Sequence, residues 1–263
     1  MSNMFCFQCE QTAGGSGCVK SGVCGKTAPT SNLQDELTGA LVGLARAAYG
    51  QPVSDEVTQT MLEGLFTTVT NVSFDDEAIQ KQIEKTRRVI SALGMPAPEY
   101  DMNTLWSANE DIRSLKSLIL FGIRGMAAYA YHAWVLGYKN DTVNRFFLKA
   151  LVSVGGESDA DKLLALVMET GSVNLECMAL LDKANTETYG NPVPTTVPLT
   201  IEAGPFIVVS GHDLYDLHRL LEQTEGKGIN VYTHGEMLPA HAYPKLKAFP
   251  HLKGHFGTAW QNQ

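Results

Sequence analysis

Beyond residue 24 the chain holds a single cysteine, Cys177. That scarcity excludes a disulfide framework for the body of the fold. Positive charge is also short. Twenty Lys and Arg stand against 28 Asp and Glu, and the net charge of −8 argues against nucleic acid or an acidic membrane as a partner. It suits a basic electron donor. Met1 to Phe5 lack a basic stretch followed by a long apolar run, so no secretory signal is read there. No window is read as reaching the roughly 18 apolar residues of a membrane span. A cytoplasmic location is expected, where thiols stay reduced and clustered cysteines serve more often as metal ligands than as disulfides. With 263 residues, 44% of them apolar, the chain can bury a sizeable core in one large domain or two modest ones.

The other cysteines, Cys6, Cys9, Cys18 and Cys24, crowd the start in a C-x2-C-x8-C-x5-C pattern. Gly14, Gly15, Gly17, Gly22 and Gly25 lie among them. Four thiolates on a short glycine-rich loop can hold one tetrahedral metal or one iron–sulfur cubane. Zinc sites with four cysteines usually use two C-x2-C knuckles, and the C-x5-C pair departs from that habit. Iron–sulfur clusters accept more varied spacings. The glycines permit close backbone approach. A [4Fe–4S] cluster is therefore favoured, with a structural zinc and an unligated thiol set as the alternatives. Cys177, between Leu175 and Leu180, reads as a small buried hydrophobe.

Helical periodicity follows. Leu33, Leu37, Leu41 and Leu44 share one face, with Ser31 and Gln34 resembling a capping box. A second pattern starts at Ser54 (Val57, Met61, Leu65, Val69). A third starts near Asp75 (Ile79, Ile83, Ile90) and stops at Gly94, with Pro96 beyond. Residues 95–109 read as a connector. A long helix is expected from Glu110 to about Leu136, a fifth from Asp141 to Val154, and a sixth from Ser158 past Gly171 to Leu181. Six helices with a connector after the third suggest two three-helix bundles.

The character changes after Asn185. Pro192, Pro194, Pro198 and Pro205 cannot be helix interior and mark a boundary. Phe206–Val209 then reads as a buried strand, Asp213–Gln223 as a helix and Ile229–Tyr232 as the next strand. A short helix near Tyr243–Phe249 and a strand near His255–Phe256 complete the pattern. Strand–helix–strand order opens a parallel α/β domain, small for that architecture at 205–263. The expected organisation is a cysteine loop over 1–30, a helical domain over 31–200 and an incomplete, Rossmann-like α/β domain over 205–263.

Six of the seven histidines fall between His212 and His255. Ser210-Gly211-His212-Asp213 follows the first expected strand, and His234-Gly235-Glu236 through His241 follows the second. Ligands of open parallel sheets bind beyond the carboxyl ends of the strands. There His212 and Glu236 could act as metal ligands. Equally, a loop Asp or Ser could cap the next helix, with the histidines merely hydrogen-bonded. His218, His251 and His255 read as surface residues, and His132 as a core or interface residue.

The stretch Met4-Phe5-Cys6-Phe7-Gln8-Cys9-Glu10-Gln11-Thr12, with Gly17-Cys18 and Gly22-Val23-Cys24-Gly25-Lys26, resembles the amino terminus of the hybrid cluster protein family, also called prismane or hydroxylamine reductase. Further resemblances are Asn185–Pro192, Val209–Leu214, Gln223–Gly226, Tyr232–Ala240 and the closing Ala259–Gln263. In order, they cover essentially the whole chain. The resemblance implies a helical domain of two three-helix bundles followed by α/β domains. By resemblance, Cys6, Cys9, Cys18 and Cys24 match the ligands of a [4Fe–4S] cluster, and His212 and Glu236 match two ligands of an iron–sulfur–oxygen hybrid cluster. The implied activity is reduction of hydroxylamine to ammonia and water, and of nitric oxide, with electrons entering through the first cluster. A redox partner and a small nitrogen-oxide substrate are implied. The related carbon monoxide dehydrogenases fit the cysteine loop and the two histidine stretches less well. Family chains carry further cysteines and a glutamate for the hybrid cluster, whereas this one has no cysteine after Cys177. The expectation is a fragment, a truncated reading frame or one part of a split enzyme, needing a carboxy-terminal half or second subunit. The alternative is a non-catalytic [4Fe–4S] electron-transfer module.

Overall fold

The computed structural model describes residues 4–95 and 97–257, so Pro96 and the closing Ala259–Gln263 motif lie outside the described residues. Contacts group the chain into two compact units. One comprises Met1–Tyr131 and Lys139–Met178, and the other His132–Tyr138 and Ala179–Gln263.

The first unit is helical, as expected. Its central helix α1 (Ala28–Ala48) buries Leu37, Leu41 and Leu44 completely and packs on α2 (Asp55–Thr67), α3 (Asp76–Ala92) and α6 (Asp141–Gly156). The α1 start differs from the sequence reading. Thr27 is the N-cap, its hydroxyl accepting from the Thr30 N–H, and a proline stands in the first turn. Ser31 and Gln34 are buried inside the helix, where Gln34 accepts from Lys26 Nζ at 2.7 Å and donates to the Ser73 carbonyl at 2.9 Å. The caps at Ser54 and Asp75 fall where expected, and Gly94 ends the third helix with φ of 65°. The connector 95–109 is not wholly irregular. Asp101 caps a short helix, α4 (Met102–Trp106), whose Met102 and Leu105 are buried. The extended segment before α4 crosses α1 at Gly39, where a methyl group would collide with the Tyr100 carbonyl.

Helix α5 runs Glu110–Val135 and α7 Ala160–Tyr189. The latter extends well past the expected end at Leu181. Among the described residues it is the one helix long and apolar enough to cross a membrane, so the reading that no such segment exists is corrected. Its Leu163, Leu166, Val173 and Cys177 are buried in the protein, though only 28% of its apolar window is.

Among the described residues the second unit carries three parallel strands in the order β1 (Phe206–Ser210), β2 (Asn230–His234), β3 (Leu252–Phe256). Ser210 pairs with His234, so β1 and β2 end level. Helix α8 (Leu214–Thr224) connects them. A 3-10 segment (Gly235–Ala242) and α9 (Pro244–Lys247) lead to β3. Leu217, Leu221, Val231, Met237 and Leu246 form the core beside Tyr189. The expectation that the first strand is buried is corrected. It lies at the end of the strand order, and Phe206 and Val208 are exposed while Ile207 and Val209 are half-buried. The proline-rich segment is an ordered cover for the other side, since Pro198 accepts a hydrogen bond from the His255 N–H at 2.9 Å.

Candidate metal centres

Cys6 and Cys18 face each other across an isolated antiparallel bridge, exchanging backbone hydrogen bonds of 3.1 and 2.8 Å. Thr12 locks the intervening turn by donating to the Cys6 carbonyl at 2.9 Å. Ala13 N–H points at Cys18 Sγ at 3.4 Å. That bond and one from the Val23 N–H outweigh burial and, with Thr12 and Lys26, hold the Cys18 thiol below its ordinary pKa. Cys6, Cys9, Cys18 and Cys24 all line one small cavity, closed by Gln8, Lys26, Thr70 and Asn71. At Gly22 a methyl group would stand 3.0 Å from Cys24 Sγ, so the glycine leaves that sulfur its room.

The loop rests on an aromatic floor. Phe5 and Phe7 flank Cys6 and meet Trp106 with centroids 5.4 and 5.7 Å apart, and Phe7 also meets Phe121. Trp106 Nε1 donates to Asp35 at 2.9 Å. Fully buried Arg124 donates to the Thr38 hydroxyl at 2.9 Å, and its Nε and Nη1 have no hydrogen-bond partner among the described residues. Burial lowers its pKa to about 10, against the attraction of Asp35 and Cys6. Sequence reasoning missed Arg124, whose only signal is a charge on the apolar side of a long helix.

These residues fit an iron–sulfur group. Tetrahedral zinc with bonds of about 2.3 Å draws its sulfurs to about 3.8 Å from one another. Among the described residues no three His, Cys, Asp or Glu side chains converge on one ion in that way. The four thiols instead surround a cavity, with backbone N–H groups aimed at sulfur.

In the second unit, Gly211 (φ 132°) and Gly235 (φ 57°) turn the chain just past β1 and β2. The turns bring His212 Nε2 and Glu236 Oε2 into a direct hydrogen bond, although both side chains are more than half exposed. Helix capping by the loop aspartate also occurs. Asp213 caps α8 through the Asp216 N–H at 3.0 Å, and His132 Nδ1 lies 3.4 Å from its carboxylate. Burial works to raise the Asp213 pKa, but His132 and the N–H groups of Asp216 and Tyr215 hold it low. His255 is buried rather than on the surface, and His218 and His251 are half-buried. The Thr233 hydroxyl explains His255. It sits between His241 Nε2 at 2.8 Å and His255 Nδ1 at 2.9 Å, satisfying both rings inside the unit.

A model of the Prismane/CO dehydrogenase family matches residues 4–263. The chain belongs to the Prismane/CO dehydrogenase family. Its similar relatives include the hydroxylamine reductase of Solidesulfovibrio magneticus, 47% identical over 99% of this chain and 54% of its own length. The hydroxylamine reductase of Maridesulfovibrio salexigens is also 47% identical with the same coverage. That of Methanocella arvoryzae is 45% identical over 99% of this chain and 54% of its own. This member of the Prismane/CO dehydrogenase family thus spans about half the length of the curated relatives it matches.

Proposed function

We propose that this chain is the cluster-bearing portion of an iron–sulfur oxidoreductase of the hydroxylamine reductase class. The observation that carries the reading is the common cavity of Cys6, Cys9, Cys18 and Cys24, joined to relatives of 45–47% identity named for that activity. In this proposal the four thiolates hold a [4Fe–4S] cluster, which supplies one-electron transfer when bound. The chain's own residues do the rest. Ala13 N–H and Thr12 favour the thiolate form of Cys18, while Arg124 and Lys26 offset the accumulated negative charge. Phe5, Phe7 and Trp106 keep water from one side.

His212 and Glu236 are proposed as two ligands of a second centre, the hybrid cluster. Their hydrogen bond fixes the imidazole and carboxylate side by side at the strand ends, where a small nitrogen oxide would meet the metal. Hydroxylamine takes two electrons and two protons to give ammonia and water. An external donor must supply the electrons. Further ligands, from a carboxy-terminal half or a second subunit, would have to complete the centre.

A second reading has its own observation: no third donor joins His212 and Glu236 among the described residues. On that reading the chain alone is an electron-transfer module. Anaerobic reconstitution with iron and sulfide tests both. About four irons per chain, visible absorbance bleached by dithionite and their loss in Cys9→Ala are expected. Hydroxylamine turnover by the chain alone with a reduced dye would overturn the need for outside ligands. A colourless, zinc-loaded chain would overturn the cluster assignment.

A further inference from the structure

A half-buried carboxylate joins the aromatic floor of the cysteine loop to an open cavity. Asp35 of α1 accepts from Trp106 Nε1 at 2.9 Å, and Trp106 packs on the two rings that flank Cys6. Asp35 also lines a cavity of about 390 Å³ with Glu36, Glu99, Tyr100 and Asp101. Arg124 of α5 is attracted to both Asp35 and Cys6. Its guanidinium is fully buried, and Nε and Nη1 have no hydrogen-bond partner among the described residues. Lys26, which lines the cavity of the four thiols, attracts the same carboxylate. Two buried cations are thus shared between Asp35 and the cysteine loop.

An electron added beside buried groups is costly unless its charge is compensated. We propose that Asp35 takes up one proton when the first cluster is reduced, with Arg124 as the electrostatic link and the adjoining cavity as the proton's route from solvent. The inference rests on the cluster reading above. One electron comes from a reductant such as dithionite. One proton leaves a buffer acid and forms an O–H bond on the Asp35 carboxylate, so the net charge of the region is unchanged. Coupling of this kind is reciprocal: reduction raises the proton affinity of Asp35, and the proton raises the electron affinity by the same factor. The other groups around Asp35 are engaged elsewhere. Glu36 and Glu99 both pair with Arg87, at 2.9 and 2.7 Å, which holds the Glu99 carboxyl below its ordinary pKa. Burial raises the Tyr100 hydroxyl, which lies beneath Arg46 and Lys116, so it stays protonated. Asp101 caps α4 through the Asn103 N–H at 2.9 Å, and Arg113 donates to the Trp106 carbonyl at 3.5 Å. Burial brings Asp35 itself to about 6, where a proton can move near neutrality.

The test is the midpoint potential of the reconstituted chain, read anaerobically from its visible absorbance at a series of pH values. In the parent it should fall as pH rises above about 6, by up to about 59 mV for each tenfold drop in proton concentration. Asp35→Asn keeps an acceptor for Trp106 Nε1 but cannot take the proton. It should bind about four irons and bleach like the parent. Its potential should stay near the parent's acidic value at every pH in the range. Trp106→Phe keeps a ring on the floor and removes the donor that favours ionised Asp35. It should move the sloping region to higher pH, which a loss of packing alone would not do. If Asp35→Asn fails to fold, the parent decides. Its reduced-minus-oxidised infrared spectrum should show a protonated-carboxyl band that shifts in deuterium oxide. A parent potential independent of pH, an Asp35→Asn variant with the parent's slope, a Trp106→Phe slope displaced to lower pH, or absence of the carboxyl band each overturns the proposal. With about four irons bound and bleached by dithionite, any of those results leaves the cluster reading standing. A chain that binds no iron overturns both.

Discussion

His212 and Glu236 are hydrogen-bonded to each other across the carboxyl ends of two adjacent parallel strands, though 24 residues separate them in sequence. The pair is largely solvated, which sets what it can contribute. An exposed ion pair adds at most about 1 kcal/mol to stability.

Glu236→Gln should therefore leave the chain within about 1 kcal/mol of the parent in urea unfolding. If the residue is a metal ligand, the same substitution should reduce iron bound beyond the first cluster in any assembly that completes the second centre. A large loss of stability without change in iron content would make the pair structural.

The five thiols should react in a definite order in the metal-free chain. Cys24 is exposed, Cys6 and Cys9 half-buried, and Cys18 and Cys177 buried. Burial pushes the Cys177 thiol up to about 12, so almost none of it is thiolate near neutrality. Under native conditions with a neutral alkylating reagent, Cys24 should be modified first and Cys177 only after unfolding. After cluster assembly, Cys6, Cys9, Cys18 and Cys24 should all be protected, which mass spectrometry can read directly. Fast labelling of Cys24 in the loaded protein would remove it from the ligand set.

The sequence revealed those elements whose ends carry their own chemistry. Ser54 and Asp75 accept hydrogen bonds from the first turns of α2 and α3, and a positive-φ glycine ends α3. Such signals are local and survive in any tertiary setting. Where the tertiary setting decides, reading failed. Ser31 and Gln34 have the spacing of a capping box, but Thr27 and the following Pro29 start the helix a turn earlier, and Gln34 serves Lys26 and Ser73 instead. Phe206–Val209 is apolar enough for a central strand yet lies at the end of the strand order. Nothing local in His255 reports that the Thr233 hydroxyl will satisfy it inside the protein. The candidate ligands were legible because glycines and cysteines cluster in sequence. The buried Arg124 beneath them was not.

Thr233 ties two buried imidazoles to one hydroxyl, and a hydroxyl can donate only once. At most one of His241 Nε2 and His255 Nδ1 can therefore accept from it, so at least one of them donates. Burial and the neighbouring His255 push His241 down to about 4 against a hydrogen bond to Gly254, so His241 is neutral in the folded chain. Its folded pKa lies below its unfolded value near 6.5. The stabilisation is thus full above pH 6.5 and lost as pH falls towards 4. Thr233→Val should destabilise more than Thr233→Ser, and nitrogen-15 spectra should show both rings losing their fixed tautomers only in the valine variant.

Asp35 produces the opposite slope. Burial raises its carboxyl to about 6 from 3.8, although the Trp106 hydrogen bond and the charges of Arg124 and Lys26 favour the ionised form. The folded state consequently binds the Asp35 proton more tightly than the unfolded state does. Between pH 4 and pH 6 stability should fall as pH rises, by an amount on the order of 3 kcal/mol from this group if it titrates alone. Asp35→Asn keeps an acceptor for Trp106 Nε1 and removes the proton. It should flatten that slope, although Arg124 loses an opposing charge and the gain above pH 6 will be smaller than the slope implies. Comparing Asp35→Asn with Thr233→Val in urea titrations across pH 4 to 7 separates the two contributions, since they have opposite signs. If Asp35→Asn leaves the profile unchanged, the carboxyl is ionised throughout, and Arg124 compensates its burial more fully than a pKa near 6 allows.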